Sequence, residues 1–239
     1  MAGTLATLDG KVALITGGTG ALGQTVSAAF IAAGARVIAT YVVDTELVRF
    51  EAAVPAERRE AAKVDLTDRA AVGAVVAGIV ERHGRLDVLL NIAGGFAAGG
   101  VVETTEAELD RLLTINLKTA FLCTQAVLPV MTKQGAGRIV NVTARPGLIG
   151  GGGIVAYAIS KAAVAALTRA TADEVRERGI TVNAIAPSTI DTPANRKAMP
   201  KVDPSQWVKP GEIAATLVFL ASDAAAATSG AIIPVYARA

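Results

Sequence analysis

Tyr157 and Lys161 stand four residues apart in the run Tyr157-Ala158-Ile159-Ser160-Lys161. On a helix that separation is about 6 Å and roughly one turn, so both side chains project from one face. A phenol has a reference pKa of about 10, too high for easy proton exchange at neutral pH. A neighbouring ammonium favours the phenolate and makes the tyrosine a usable acid or base. The same spacing also arises on any amphipathic helix with a half-exposed lysine. The rest of the inventory narrows the choice. The 239 residues include one histidine (His83), one cysteine (Cys123), one tryptophan and three tyrosines. A lone cysteine forms no internal disulfide, and with one histidine it falls short of a zinc site, so no metal is expected. A Ser-His-Asp hydrolase would depend on His83 alone. Acid–base work therefore falls on tyrosine, lysine or carboxylates. Cys123, beside Phe121 and Leu122, reads as core, and His83 closes a helix before Gly84 at a favourable dipole position.

A second constellation is Thr16-Gly17-Gly18-Thr19-Gly20-Ala21-Leu22-Gly23, directly after an apolar run and opening a helical pattern. Glycines let a backbone turn sharply and approach a pyrophosphate, whose charge then rests on free amides at the helix N-terminus. The alternative is a glycine-rich turn needed only for close packing. An acid for the adenosine ribose is expected about 20 residues on, at the end of the second strand. That strand ends at Tyr41, followed by Val42, Val43 and Asp44, with no acid at the expected place and no Arg or Lys for a 2′-phosphate. Asp44 either reaches round to the ribose or caps the next helix. The missing base favours NAD(H) over NADP(H), with NAD(P)(H) as the cofactor class.

These groups need a frame. Short Val/Ile/Leu-rich runs at Val12–Thr16, Arg36–Tyr41, Ala61–Asp65, Val88–Asn91, Arg138–Thr143, Thr181–Ile185 and Ala231–Val235 alternate with longer Ala-rich segments. Near-continuous apolar strands belong to a sheet covered on both faces. Gly34, Gly84 and Gly179 end helical patterns, Thr105-x-x-Glu108 reads as a capping box, and Thr67-Asp68 opens the helix running to His83. The expected fold is α/β, a single Rossmann-type domain over 1–239 with a doubly wound parallel sheet of about seven strands and helices on both faces. Its cofactor half is about 1–140 and its catalytic and substrate half about 141–239. Pro187 to Pro210, with five prolines and Trp207, breaks the rhythm and reads as a lid over about 188–210. With 52% hydrophobic residues, 18% charged and a net charge of +2, the chain has no basic face for nucleic acid. Its greasiest stretch, Ala70 to Val80, is too short to span a membrane. Met1 to Lys11 lacks the pattern of a secretory leader, so a cytoplasmic location is expected.

Taken together these residues resemble the short-chain dehydrogenase/reductase superfamily. The likeness rests on Thr16-Gly17-x-x-x-Ala21-x-Gly23, Asp65 after the third strand, Asn91-Ile92-Ala93-Gly94, Asn116 in Ile-Asn-Leu, Tyr157-x-x-x-Lys161 and Pro187-Ser188-Thr189-Ile190-Asp191-Thr192. It covers essentially the whole chain. The resemblance implies catalytic roles for Tyr157 as proton donor, Lys161 on the nicotinamide ribose and Asn116 positioning a relay water. It places Gly17, Thr19, Ala21, Leu22 and Gly23 at the pyrophosphate end and Tyr41, Asp65 and Leu66 towards the adenosine. Asn91, Ala93 and Gly94 would line the cofactor, and Pro187, Ile190 and Thr192 would meet its carboxamide end.

One departure stands out. The family usually carries a serine thirteen residues before the tyrosine, and here that position is Ala144. Thr143 points to the opposite face if the strand continues, and Arg145 is either a spare donor or a solvated charge. Ser188 replaces the usual glycine after Pro187. In having Ala there, and in Ala93-Gly94-Gly95-Phe96-Ala97 and Ile190 to Pro200 followed by Trp207, the chain is similar to the quinonoid dihydropteridine reductase branch, while Asn116 follows the wider superfamily. A quinonoid or other strongly electrophilic acceptor needs less polarisation than a ketone, so the expected substrate is of that small-molecule class, with Phe96 and Trp207 as flat walls or as ordinary packing. The alternatives are a 3-oxoacyl or carbonyl reductase in which Arg145 or water replaces the serine, and a catalytically silent cofactor-binding scaffold or redox sensor. The Ala-rich stretches Leu117–Met131 and Ala156–Arg176 suit a homo-oligomer, dimer or tetramer.

Overall fold

Strand β1 (Val12–Thr16) is buried along its whole length and sends alternate side chains into two separate apolar layers. Ala13 and Ile15 enter one core, with Val26, Phe30, Leu90, Val140, Ile185 and Leu217. Val12 and Leu14 enter the other, with Ile79, Leu89, Val127, Met131 and Val182. Two cores on opposite faces are why these strands carry no polar alternation. The computed structural model of the chain describes residues 7–238; the first part of the stretch read for a leader, residues 1–6, lies outside them.

The remaining strands are β2 (Arg36–Tyr41), β3 (Arg59–Lys63), β4 (Val88–Asn91), β5 (Gly137–Val142), β6 (Ile180–Pro187) and β7 (Ile232–Val235). Every pairing is parallel and the spatial order is β3-β2-β1-β4-β5-β6-β7, so the fold is the single α/β domain expected. The chain runs outward from β1 in one direction and restarts at β4 in the other. That reversal opens a crevice at the carboxyl ends of β1 and β4, the place where open α/β sheets bind ligands. The crossovers are α1 (Ala21–Ala32), α2 (Asp44–Ala53), α3 (Arg69–His83), α4 (Glu106–Leu112) continuing into α5 (Thr119–Gln134), then α6 (Pro146–Ile149), α7 (Val155–Glu174), α8 (Pro193–Ala198) and α9 (Pro210–Ala221).

Four local expectations need correction. β3 lies two residues earlier than Ala61–Asp65, because an edge strand half-open to water tolerates Arg59 and Glu60. Thr105 caps α4 by accepting from the Glu108 amide at 3.2 Å, but the Glu108 carboxylate turns to Arg111 instead of completing the box. The stretch long and apolar enough to cross a membrane is the 29-residue helical run Glu106–Gln134, not Ala70–Val80. Its second half buries Leu122, Cys123, Val127 and Met131, so it serves as a core helix. Lastly, Asp44 does not cap α2; it is that helix's first residue and pairs with Lys63 at 2.8 Å.

The 188–210 segment is stapled at its base. Val208 N–H donates to the Thr189 carbonyl at 2.9 Å and Asp191 N–H to the Val208 carbonyl at 2.8 Å. The Asp191 carboxylate accepts from both Arg196 and Lys209, two cations that hold its carboxyl well below the usual range.

Candidate active site

The glycine loop begins where β1 stops. Gly17 adopts a left-handed φ of 63°, and its N–H donates to Thr40 Oγ1 at 3.1 Å, which ties the loop to β2. Thr16 Oγ1 accepts from the amides of Ile92 and Ala93 at 3.0 and 3.2 Å and so fastens the loop to the end of β4. Helix α1 then starts from Gly20 with no side-chain cap and no acid in its first turn. Its leading amides are left unpaired and at the positive end of the helix dipole, ready for an anion. A groove of about 380 Å³ opens above them. Its floor is Gly17, Thr19, Ala21, Leu22 and Gly23, and its walls include Tyr41, Leu66, Ala93 and Gly94, nine of the residues expected there. Val42, Val43 and Glu46 complete the far end.

The acid–base corner is built on the first two turns of α7. Lys161 is 6% exposed, and its Nζ donates to the Val142 carbonyl at 2.9 Å while lying 6.0 Å from the Tyr157 ring centroid. The expected lowering of the phenol by the ammonium is overturned here. Burial pushes Tyr157 up to about 12 and Lys161 down to about 8. Desolvation penalises both charged forms and sets both shifts. Tyr157 is accordingly a firmly protonated donor at neutral pH, suited to giving a proton to a substrate.

Asn116 lies in a π-helical turn, Leu113–Lys118, between α4 and α5. Such turns widen a helix at functional positions. Its Oδ1 accepts from Gly95 N–H at 2.9 Å, and its Nδ2 donates to the Gly95 carbonyl at 3.1 Å and to Ser160 Oγ at 2.9 Å. Ser160 Oγ in turn donates to the Tyr157 carbonyl at 2.8 Å. A methyl group placed on Gly94 would crowd Asn116 Oδ1 and come within 3.5 Å of Lys161 Nζ, so those two polar groups flank one small space. Thr143 Oγ1 donates to the Lys161 carbonyl at 2.6 Å. Ser160 and Thr143 therefore position α7, a task the bare Tyr-x-x-x-Lys spacing did not reveal, although Ser160 sits inside that motif.

This pairing of an anion-ready groove with a buried Tyr–Lys corner has counterparts. Residues 11–203 match the model of the short-chain dehydrogenases. The chain belongs to this family. It is 37% identical over 239 residues to the 3-oxoacyl-acyl-carrier-protein reductase of Thermotoga maritima, covering 95% of this chain and 96% of that one. It is 35% identical over 246 residues to levodione reductase of Leifsonia aquatica, covering 94% and 92%. Among solved structures, that of a levodione reductase superposes with a TM-score of 0.89 at 32% identity, over 96% of this chain and 97% of that one. The protein is an NAD(P)-dependent oxidoreductase of the short-chain dehydrogenase family.

The groove fits such a cofactor. The loop brings Gly17, Gly20 and Gly23 to the groove, and a Cβ on Gly23 would overlap the Gly17 carbonyl and the Gly18 backbone. When bound, the nicotinamide group supplies or accepts a hydride. We expect Gly23→Ala to weaken NADH binding at least about tenfold and to lower stability by roughly 1–3 kcal/mol, since backbone atoms must move to admit the methyl. A fluorescence titration beside a thermal melt checks both.

Other residues expected at the cofactor or substrate have partners within the chain. Asn91 is buried, and its amide donates to Asn141 Oδ1 at 2.8 Å, so it braces β4 against β5 and does not line the groove. Asp65 falls beyond the end of β3 and turns back on Thr67, whose N–H and hydroxyl donate to it and hold its carboxyl below the ordinary range. Pro187 ends β6 with its carbonyl accepting from Arg145 N–H. Ile190 bridges to Val208 and packs on the core. Thr192 caps α8 by accepting from the Asn195 amide at 3.2 Å. Trp207 is only 4% exposed, a packing residue and not a substrate wall. Phe96 is 60% exposed, with its ring edge-on to Tyr157 at 5.0 Å between centroids. Ala144 is buried, and Arg145 stacks its guanidinium over the Tyr236 ring at 5.2 Å.

Proposed function

We propose that this dehydrogenase transfers a hydride from NADH, in preference to NADPH, to a small, flat, strongly electrophilic acceptor of quinonoid or pteridine-like type. The acceptor takes the hydride at one end of its conjugated system, a ring nitrogen in a quinonoid dihydropterin, and a proton from the Tyr157 hydroxyl at a heteroatom at the other end, so one hydride and one proton restore the aromatic ring. Lys161 and Asn116 flank the space through which a water would return that proton. The observation that carries the reading is the shortage of donors beside Tyr157. Ala144 has no hydroxyl, Thr143 commits its own to the Lys161 carbonyl, and Arg145 is stacked on Tyr236. A ketone thereby loses a polarising donor of the kind that contributes about 3–4 kcal/mol, which an electrophilic acceptor does without. The exposed Phe96 ring offers such an acceptor a flat neighbour for stacking. Preference for NADH is supported by a groove whose lining includes no basic side chain among the described residues. A homo-oligomer, dimer or tetramer, is supported by the half-exposed Phe121 on α5, in a groove shared with Leu128 and with Leu167 of α7. The lone, buried Cys123, pushed up to about 12 by burial, suits a reducing cytoplasm.

The test is steady-state NADH oxidation with a quinonoid dihydropterin, a quinone and a 3-oxoester in parallel, for the wild type and Ala144→Ser. The expected result is turnover on the electrophilic acceptors roughly 100-fold above that on the ester, with Ala144→Ser raising only the ester rate, by about tenfold or more. Equal or faster turnover of the 3-oxoester by the wild type would sink the proposal. It would instead favour the second reading, a 3-oxoacyl or carbonyl reductase, whose support is the likeness to the Thermotoga maritima reductase.

A further inference from the structure

The end of β2 presents Tyr41, Val42 and Val43 to the groove, none of which carries a charge. Asp44 is turned out to Lys63, whose Nζ reaches both carboxylate oxygens at 2.8 and 2.9 Å. Neither member of that exposed pair lines the groove. Glu46, in the first turn of α2, is the acid that lines the groove. Its Oε2 accepts from Thr19 Oγ1 at 3.3 Å, linking α2 to the glycine loop 27 residues away in sequence. Glu46 and Thr19 thus line the groove together with Tyr41, Val42 and Val43 at the end of β2.

We propose that Glu46 is the residue that selects NAD(H) over NADP(H), taking from helix α2 the role that a strand-end acid would otherwise fill; this deepens the preceding reading and rests on the groove being the dinucleotide site. A carboxylate here would accept hydrogen bonds from the ribose hydroxyls, with one oxygen bound to the buried Thr19 hydroxyl and the other left for the ligand. A 2′-phosphate would instead set about two further negative charges beside Glu46 with no lining cation to offset them. The glutamate is also long enough for the task. Its extra methylene relative to aspartate reaches back over the groove from a helix that starts beyond the strand end.

Dissociation constants for NADH and NADPH, followed by nicotinamide fluorescence on wild type, Glu46→Gln and Glu46→Lys, decide the matter without any turnover. Glutamine keeps the length and an acceptor for Thr19 while removing the charge. The expected wild type binds NADH more tightly by roughly 10- to 100-fold. Glu46→Gln brings that ratio to within about threefold, and Glu46→Lys inverts it, with both variants melting close to the wild type because Glu46 is half-exposed on the helix surface. A wild type that prefers NADPH, or a ratio unchanged in both variants, overturns the assignment of Glu46 while leaving the groove intact as a nucleotide site. A wild type that binds neither nucleotide overturns the dinucleotide reading itself.

Discussion

Replacing Tyr157 with phenylalanine should lower turnover by roughly 10²- to 10⁴-fold while leaving NADH affinity within a few fold of wild type. The range is what a positioned general acid contributes, and the structure supplies no substitute for it. Thr143 donates inward to α7, Ser160 Oγ donates to the Tyr157 carbonyl, and Ala144 has nothing to donate. Phenylalanine keeps the ring and therefore the edge-on contact with Phe96, so the loss reports the hydroxyl and not the packing. The pH dependence follows from the same environment. With its pKa pushed up to about 12, Tyr157 stays protonated at every ordinary pH, so its own ionisation leaves the reductive rate flat. The reverse oxidation needs the phenolate and should climb steadily with pH. Stopped-flow oxidation of NADH, with affinity measured separately, tests the assignment. A variant that kept full turnover on a confirmed substrate would refute it.

The parts of this fold that were legible in the sequence are those governed by local period and by burial on both faces. All seven strands fall within two residues of the apolar runs at each end, and the one displaced by two residues at both ends, β3, is an edge strand half-open to water. The glycine loop and the Tyr–Lys pair were legible for a related reason: backbone approach and a one-turn spacing are local requirements. What stayed hidden depends on where side chains turn once a strand or turn has ended. Asn91 and Ala93 are two residues apart, yet the first braces the sheet interior and the second lines the groove. Asp44 and Glu46 share one helical turn, and only the second lines the groove. No spacing rule separates them, because the choice is made by Lys63 and Thr19, which arrive from distant segments. The direction of the Tyr157 shift was hidden in the same way. The four-residue spacing brings an ammonium near, but whether it stabilises the phenolate depends on burial and on the Val142 carbonyl that holds it.

Lys161→Met should abolish most activity and at the same time make the protein more stable. The lysine is buried, with its ammonium bound to one backbone carbonyl at 2.9 Å and no carboxylate partner among the described residues. Burial brings its pKa from the ordinary 10.5 down to about 8, so the folded state holds this proton less tightly than the unfolded chain does. Below pH 8 both states are protonated and the folded protein carries the full penalty of a buried cation. Between about pH 8 and 10.5 the folded state releases the proton first, and stability rises with pH by an amount on the order of 3 kcal/mol. Methionine has a similar length and no charge, so it removes the penalty and forfeits only the bond to Val142. The expected net gain at pH 7 is about 1–3 kcal/mol, or roughly 3–10 °C in melting temperature for a chain of this size. The wild-type-minus-variant difference in stability should then close as the pH is raised through that window. Activity moves the opposite way. Without the ammonium the Tyr157 phenolate left by proton transfer loses its neighbouring side-chain cation, and turnover should fall by about 10²-fold or more, with any break near pH 8 in the wild-type profile gone. A lysine retained at a thermodynamic loss is understandable only if the proton it carries is used. A Met variant that was both less stable and unaltered in its pH profile would show instead that Lys161 is a structural anchor for β5, held in place by its bond to Val142.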